Sequence, residues 1–185
     1  MKRLIPAIIL WLLVCGCCLL GCQENKPQPA GLLDSDILLQ ETDSTIYGIC
    51  GEGSTIDAIQ LISDLGDTLH IQLPTDEEFV VLGGMMAGDR LALTYHQRSD
   101  DALQLDCSIN LTTLQGRWQS IDRKFELCEG GTVAEEKQSN RRPWTTWKIL
   151  NGRLLLNADT FSIARLSADS LELETPTEIF LYTKN

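Results

Sequence analysis

Basic charge is scarce in this sequence. Fifteen lysines and arginines stand against 26 aspartates and glutamates, a formal net charge of −11 at pH 7. Nucleic acid needs a basic footprint, and anionic lipid attracts basic segments. Neither is a surface this chain is expected to lie on. Histidine is nearly absent: His70 and His96 are the only two. Both fall on the polar side of an alternating pattern and read as solvent-facing strand residues, not as metal ligands. Met85-Met86, beside Gly83-Gly84, reads as apolar filling next to a turn. Gly-x-Ser-x-Gly, the phosphate-binding Gly-x-x-x-x-Gly-Lys and Gly-x-Gly-x-x-Gly are all missing. The hydrolase, nucleotide and dinucleotide signatures are therefore missing with them. The adjacent acids Glu77-Glu78, Asp100-Asp101 and Glu135-Glu136 read as solvated turns. Neighbours on a strand point to opposite faces and cannot share one substrate. No catalytic residue, metal or cofactor is expected, and the chain reads as a non-enzyme.

Only one long hydrophobic run exists. It covers Leu4 to Leu20, behind the cationic start Met1-Lys2-Arg3. A positive start, an apolar stretch and a small residue before a cut make a secretory signal over residues 1–21. Leu19-Leu20-Gly21-Cys22 resembles the bacterial lipobox. The resemblance implies cleavage between Gly21 and Cys22, a diacylglyceryl thioether on Cys22 and a further acyl chain on the new amine. Val14-Cys15-Gly16-Cys17 offers a second cut, before Cys17. The same stretch is also compatible with an ordinary signal peptide or a retained membrane anchor. Gln23 after Cys22 implies an outer-membrane lipoprotein of the cell envelope, its membrane partner reached through the lipid. Cleavage takes Lys2 and Arg3 with it and deepens the charge to about −13.

Cysteine is also scarce once export is counted. Four of seven lie at positions 15, 17, 18 and 22. Cys50, Cys107 and Cys128 remain, an odd number for an oxidising compartment. A Cys50–Cys107 disulfide is the economical pairing, with Cys128 free. Three buried thiols is the other reading. No Cys-x-x-Cys survives maturation.

What remains is an all-β pattern. Residues 22–43 read as a tether, with Pro27, Pro29 and Gly31 keeping it extended. Residues 44–110 read as five or six short strands, with Leu69, Ile71 and Leu73 alternating against His70 and Gln72. That spacing suggests a small antiparallel domain resembling an OB-type barrel. Residues 113–185 read as seven or eight strands joined by tight turns. Asn151-Gly152 is the strongest of these, because a type I′ hairpin needs positive φ at both central residues. Such a meander can close into an up-and-down barrel.

This second half resembles the lipocalin-like domains of small bacterial lipoproteins. The residues that carry the resemblance are Gly116-Arg117-Trp118, Phe125 with Leu127, Gly130-Gly131, Trp147 and Tyr182-Thr183-Lys184. It implies a small antiparallel barrel that binds a small apolar or sugar ligand, or an envelope protein. Strands of four to six residues imply a shallow barrel, filled mostly by its own side chains. Trp118, Trp147, Phe161 and Tyr182 are its aromatic residues, available to core or ligand. Arg165 shares a strand face with Phe161 and Ile163. The resemblance implies that it covers the Trp118 indole by a cation–π contact, with Lys184 as the alternative. Arg141-Arg142-Pro143-Trp144 reads as a surface loop, basic enough to meet an acidic partner. Ligand binding requires a cavity lined by Trp118 or Trp147. An assembly component requires a filled barrel and an exposed apolar patch.

Overall fold

Alternation drives the first sheet. In β1 (Ile46–Cys50), Ile46, Gly48 and Cys50 face one way and Tyr47 and Ile49 the other. The computed structural model describes residues 42–75, 79–135 and 142–185. The signal segment, nearly all of the tether, Gly21 and Cys22 lie outside the described residues, as do Glu77, Glu78, Glu136 and Arg141. Five further strands follow: β2 (Ala58–Ser63), β3 (Thr68–Gln72), β4 (Val80–Leu82), β5 (Arg90–Gln97) and β6 (Leu103–Asn110). They are ordered β3-β2-β1-β5-β6-β4, and β3 also pairs with β6 in parallel at Ile71–Leu103. That pairing closes β1, β2, β3, β6 and β5 into an OB-like barrel. Its interior holds Ile59, Leu61, Ile71, Leu91, Leu93 and Leu105.

The sixth run does not reach Leu111 as a strand. Asn110 turns the chain, its side chain accepting from the Thr113 amide, and Leu111–Leu114 forms a one-turn helix, α1. Eight strands then follow: β7 (Gly116–Gln119), β8 (Lys124–Leu127), β9 (Val133–Glu135), β10 (Trp147–Leu150), β11 (Arg153–Leu156), β12 (Asp159–Leu166), β13 (Ser170–Glu174) and β14 (Ile179–Lys184). Every strand pairs with its sequence neighbour except at the β9–β10 junction, and β14 returns to β7. At that junction Thr132 bridges Thr146, the Val133 amide donates to Thr145 O and the Trp147 amide donates to Gly131 O. The sheet therefore wraps into an eight-stranded up-and-down barrel. Asn151 and Gly152, at φ 48° and 76°, make the expected two-residue hairpin.

The two barrels meet end to face. The outer side of the first sheet presents Tyr47, Ala92, Cys107 and Ile109 to one end of the second barrel. Leu111 and Leu114 of α1 are buried in the same cluster. The Tyr47 hydroxyl donates to Ile149 O at 2.6 Å, and the Asn151 amide donates to Thr45 Oγ1 at 2.7 Å. This arrangement stoppers one end of the eight-stranded barrel and leaves the other end free. Residues Thr42–Asn185 form one compact unit.

The Cys50–Cys107 disulfide is not present; Cys50, Cys107 and Cys128 are free thiols. Strand register gives the reason. Cys50 shares the face of Ile46, opposite Leu93, which pairs with Ser108. Cys107 neighbours Ser108 and so points through the other side of the sheet. The two sulfurs belong to different cores.

Candidate functional site

Strand direction places the β7–β8, β11–β12 and β13–β14 turns at the free end of the second barrel. A cleft of about 1070 Å³ opens there. Its aromatic lining is Trp144, Phe161, Phe180 and Tyr182. With Phe125 behind them, these rings form a continuous edge-to-face series. Tyr182 meets Phe125 at 5.1 Å, Phe125 meets Trp144 at 5.2 Å, Trp144 meets Phe161 at 5.7 Å and Phe161 meets Phe180 at 5.9 Å. Quadrupoles favour such T-shaped contacts, which hold each ring at a fixed tilt.

Trp144 is fixed by polar bonds from several elements. Its amide donates to Glu135 Oε2 at 2.6 Å, and its indole donates to Asp159 Oδ2 at 3.2 Å. Asn157, at φ 56°, receives the Thr145 amide at 2.9 Å and donates to Pro143 O at 3.1 Å, which pins the approach to Trp144. Over the ring lies Arg123, its guanidinium carbon 3.1 Å from the centroid. The Ser120 hydroxyl receives the amides of Asp122 and Arg123 and sets the turn that delivers this arginine. Arg123 grips Glu135 through two bonds, Nε to Oε1 at 2.6 Å and Nη2 to Oε2 at 3.0 Å. Both side chains are buried, 11% and 4% exposed. Such a fork suits arginine and carboxylate geometry.

The expected residues divide between the two ends. Phe161 and Tyr182 line the cleft. Trp118 is at the stoppered end, 1% exposed, its indole donating to Leu114 O at 2.8 Å. Trp147 is buried too and donates to Cys128 O, so the cleft is lined by Trp144 and not, as expected of a ligand cavity, by Trp118 or Trp147. The cation over Trp118 is Lys184, with Nζ 5.0 Å from the ring centroid and donating to Thr113 O at 2.7 Å. Gly116, at φ 119°, admits this side chain, since a Cβ there would lie 2.9 Å from Lys184 Cε. Burial holds the Lys184 ammonium below its ordinary pKa. Arg165 does not cover Trp118. The β12–β13 register shifts between Ile163 and Arg165, so Arg165 turns outward opposite Glu172 and is exposed, while Leu166 points in.

Two other expectations change. Glu135 is not a solvated turn residue; it ends β9 and is buried against Arg123. Arg142 and Pro143 are exposed in irregular backbone as expected of a surface loop, but Trp144 turns inward and is 4% exposed at the edge of the cleft. His70 and His96 are exposed, and His96 Nδ1 sits 2.6 Å from Asp106. Met86 is exposed and Met85 packs on the first core. Among the described residues no group of three histidines, cysteines or acids is placed to hold a metal ion.

Arg123, Glu135, Trp144 and Phe180 join the site without any motif that marks them. Proline before a tryptophan, just after a polar run, is the one signal for Trp144. Nothing local marks Arg123 and Glu135 as partners, because they lie on separate turns of the meander. The chain matches no protein-family model, no curated protein and no solved structure.

Proposed function

We propose that this protein is a lipid-anchored envelope protein that binds a small ligand at the open mouth of its second barrel, without catalysis. The aromatic cleft carries the reading: a concave, largely pre-formed site with one buried polar pair is the usual form of a small-molecule site. Arg123 and Glu135 satisfy each other and hold Trp144 in place, so they act as supports and not as an acid–base couple. The lipobox at Leu19-Leu20-Gly21-Cys22 supplies the location. Acyl chains contribute about 0.8 kcal/mol per buried methylene, so two or three hold a protein firmly to a bilayer.

Tryptophan emission tests the site. All three described tryptophans are buried, but Trp144 borders the cleft, its indole donating to Asp159 of the same lining, whereas the Trp118 and Trp147 indoles donate to backbone away from it. Titration with apolar and sugar-bearing small molecules should perturb emission in the native chain and not in Trp144→Phe. Silence across all of them would sink this reading. It would favour an assembly component, for which the barrel is a filled scaffold and Ile121, Ile179 and Leu181 are the exposed apolar patch.

A further inference from the structure

The cleft's charge names its ligand class, an inference that rests on the binding reading above. Three carboxylates line it: Asp122, Asp159 and Glu178. None of the three is in an ion pair among the described residues. Among the described residues Arg123 is the only cation in the lining, and Glu135 neutralises it. Arg142 gives its carbonyl to Arg123 and does not line the cleft. A ligand entering here therefore passes three carboxylates without a partner cation among the described residues and meets the half-buried ring of Phe180; Trp144, Phe161 and Tyr182 are themselves buried, and Arg123 covers one face of Trp144. Ile121, Ile179 and Leu181 also border the cleft and are exposed; on β14, Ile179 and Leu181 alternate with Phe180 and Tyr182 and point outward at its rim.

We infer that the mouth takes a cationic amphiphile: a molecule with an apolar body and an amine or quaternary ammonium head. Ring faces are electron-rich and attract cations held within about 6 Å. The rim carboxylates Asp122, Asp159 and Glu178 are exposed, so they reinforce that attraction in a salt-screened way. An anionic amphiphile of the same shape meets repulsion from both. A neutral one gains only the apolar contact. The protein's overall acidity steers in the same direction but is spread over the whole surface. The rim concentrates it where this cleft opens.

Three probes with one hydrophobe separate the terms: 4-phenylbutyl-trimethylammonium, 4-phenylbutanol and 4-phenylbutyrate. Each is titrated into the purified full chain at low salt, followed by Trp144 emission and calorimetry. The ammonium should bind about tenfold more tightly than the butyrate, with the alcohol between them. The gap should shrink in high salt. The double variant Asp122→Asn/Glu178→Gln, checked for native far-UV dichroism, should bring the ammonium close to the alcohol and leave alcohol binding unchanged. Equal binding of all three, or tighter binding of the butyrate, overturns the charge assignment and leaves the binding site standing. Binding by none overturns both.

Discussion

The hydroxyl of Tyr47 in the first barrel donates to the carbonyl of Ile149 in the second, at 2.6 Å, from a half-buried ring. It is a hydrogen bond across the seam where the first sheet stoppers the second barrel. Phenylalanine keeps the ring and removes the bond, leaving a carbonyl unpaired. Tyr47→Phe should therefore cost about 1 kcal/mol in urea unfolding, with the slope unchanged. A loss of several kcal/mol or none would show that the seam is held otherwise.

The same seam should weaken in alkali. Burial, aided by Asp106, pushes the Cys107 thiol from 9.0 up to about 11. Burial also raises the Tyr47 hydroxyl above 10.0. A folded-state pKa above the unfolded one means that the unfolded chain loses its proton first. Stability is then fully present below pH 9 and falls as pH rises through 9 to 11. For the thiol, the rise from 9.0 to about 11 sets the loss at no more than about 3 kcal/mol. Lys184, held low by burial, titrates in the opposite sense, so the comparison that isolates the thiol is with Cys107→Ala. That variant should show a shallower alkaline decline.

Opposite facing of Cys50 and Cys107 predicts that no disulfide links them. Alkylation of the denatured chain without reductant should modify Cys50, Cys107 and Cys128. In the native state Cys107 should react slowly at mildly alkaline pH, because its thiol stays protonated. A Cys50–Cys107 cross-linked peptide in the non-reduced digest would contradict the register of the first sheet.

Much of the fold was legible because strands write themselves at period two. Leu69, Ile71 and Leu73 announced β3, and Asn151-Gly152 announced the β10–β11 hairpin. A bulge leaves no such trace. Alternation from Phe161 places Arg165 inward, and only the slip after Ile163 turns it out. The cleft was half legible: Phe161 and Tyr182 were visible as aromatics on alternating strands. Trp144 was hidden because its burial depends on Glu135, nine positions earlier, and on Asn157, on a later turn. Glu135 looked like one of a pair of surface acids because its partner Arg123 comes from another turn.

Lys184 and Arg165 exchange the roles expected of them, and substitution separates the two placements. Lys184→Met removes a cation from the Trp118 face and a donor from Thr113 O. It should cost about 1–2 kcal/mol and expose the Trp118 emission to solvent. Arg165→Ala touches an exposed side chain and should stay within about 0.5 kcal/mol. The reverse ranking would restore Arg165 as the residue over the indole.

The Arg123–Glu135 pair gives the sharpest contrast. Both side chains are buried, so removing one leaves the other without its counter-charge. Glu135→Ala should cost about 3–5 kcal/mol, because it leaves a buried guanidinium unpaired and frees the Trp144 amide. Replacing both, as Arg123→Leu/Glu135→Leu, removes the desolvated charges together and should recover most of that loss. The double variant should nevertheless bind the mouth's ligand poorly, since Trp144 loses the guanidinium above it and the carboxylate on its amide. A double variant that is stable and binds as well as the native chain would show that the pair serves folding alone. One that is stable and no longer binds assigns it the orientation of Trp144, a result that stability measurements by themselves would miss.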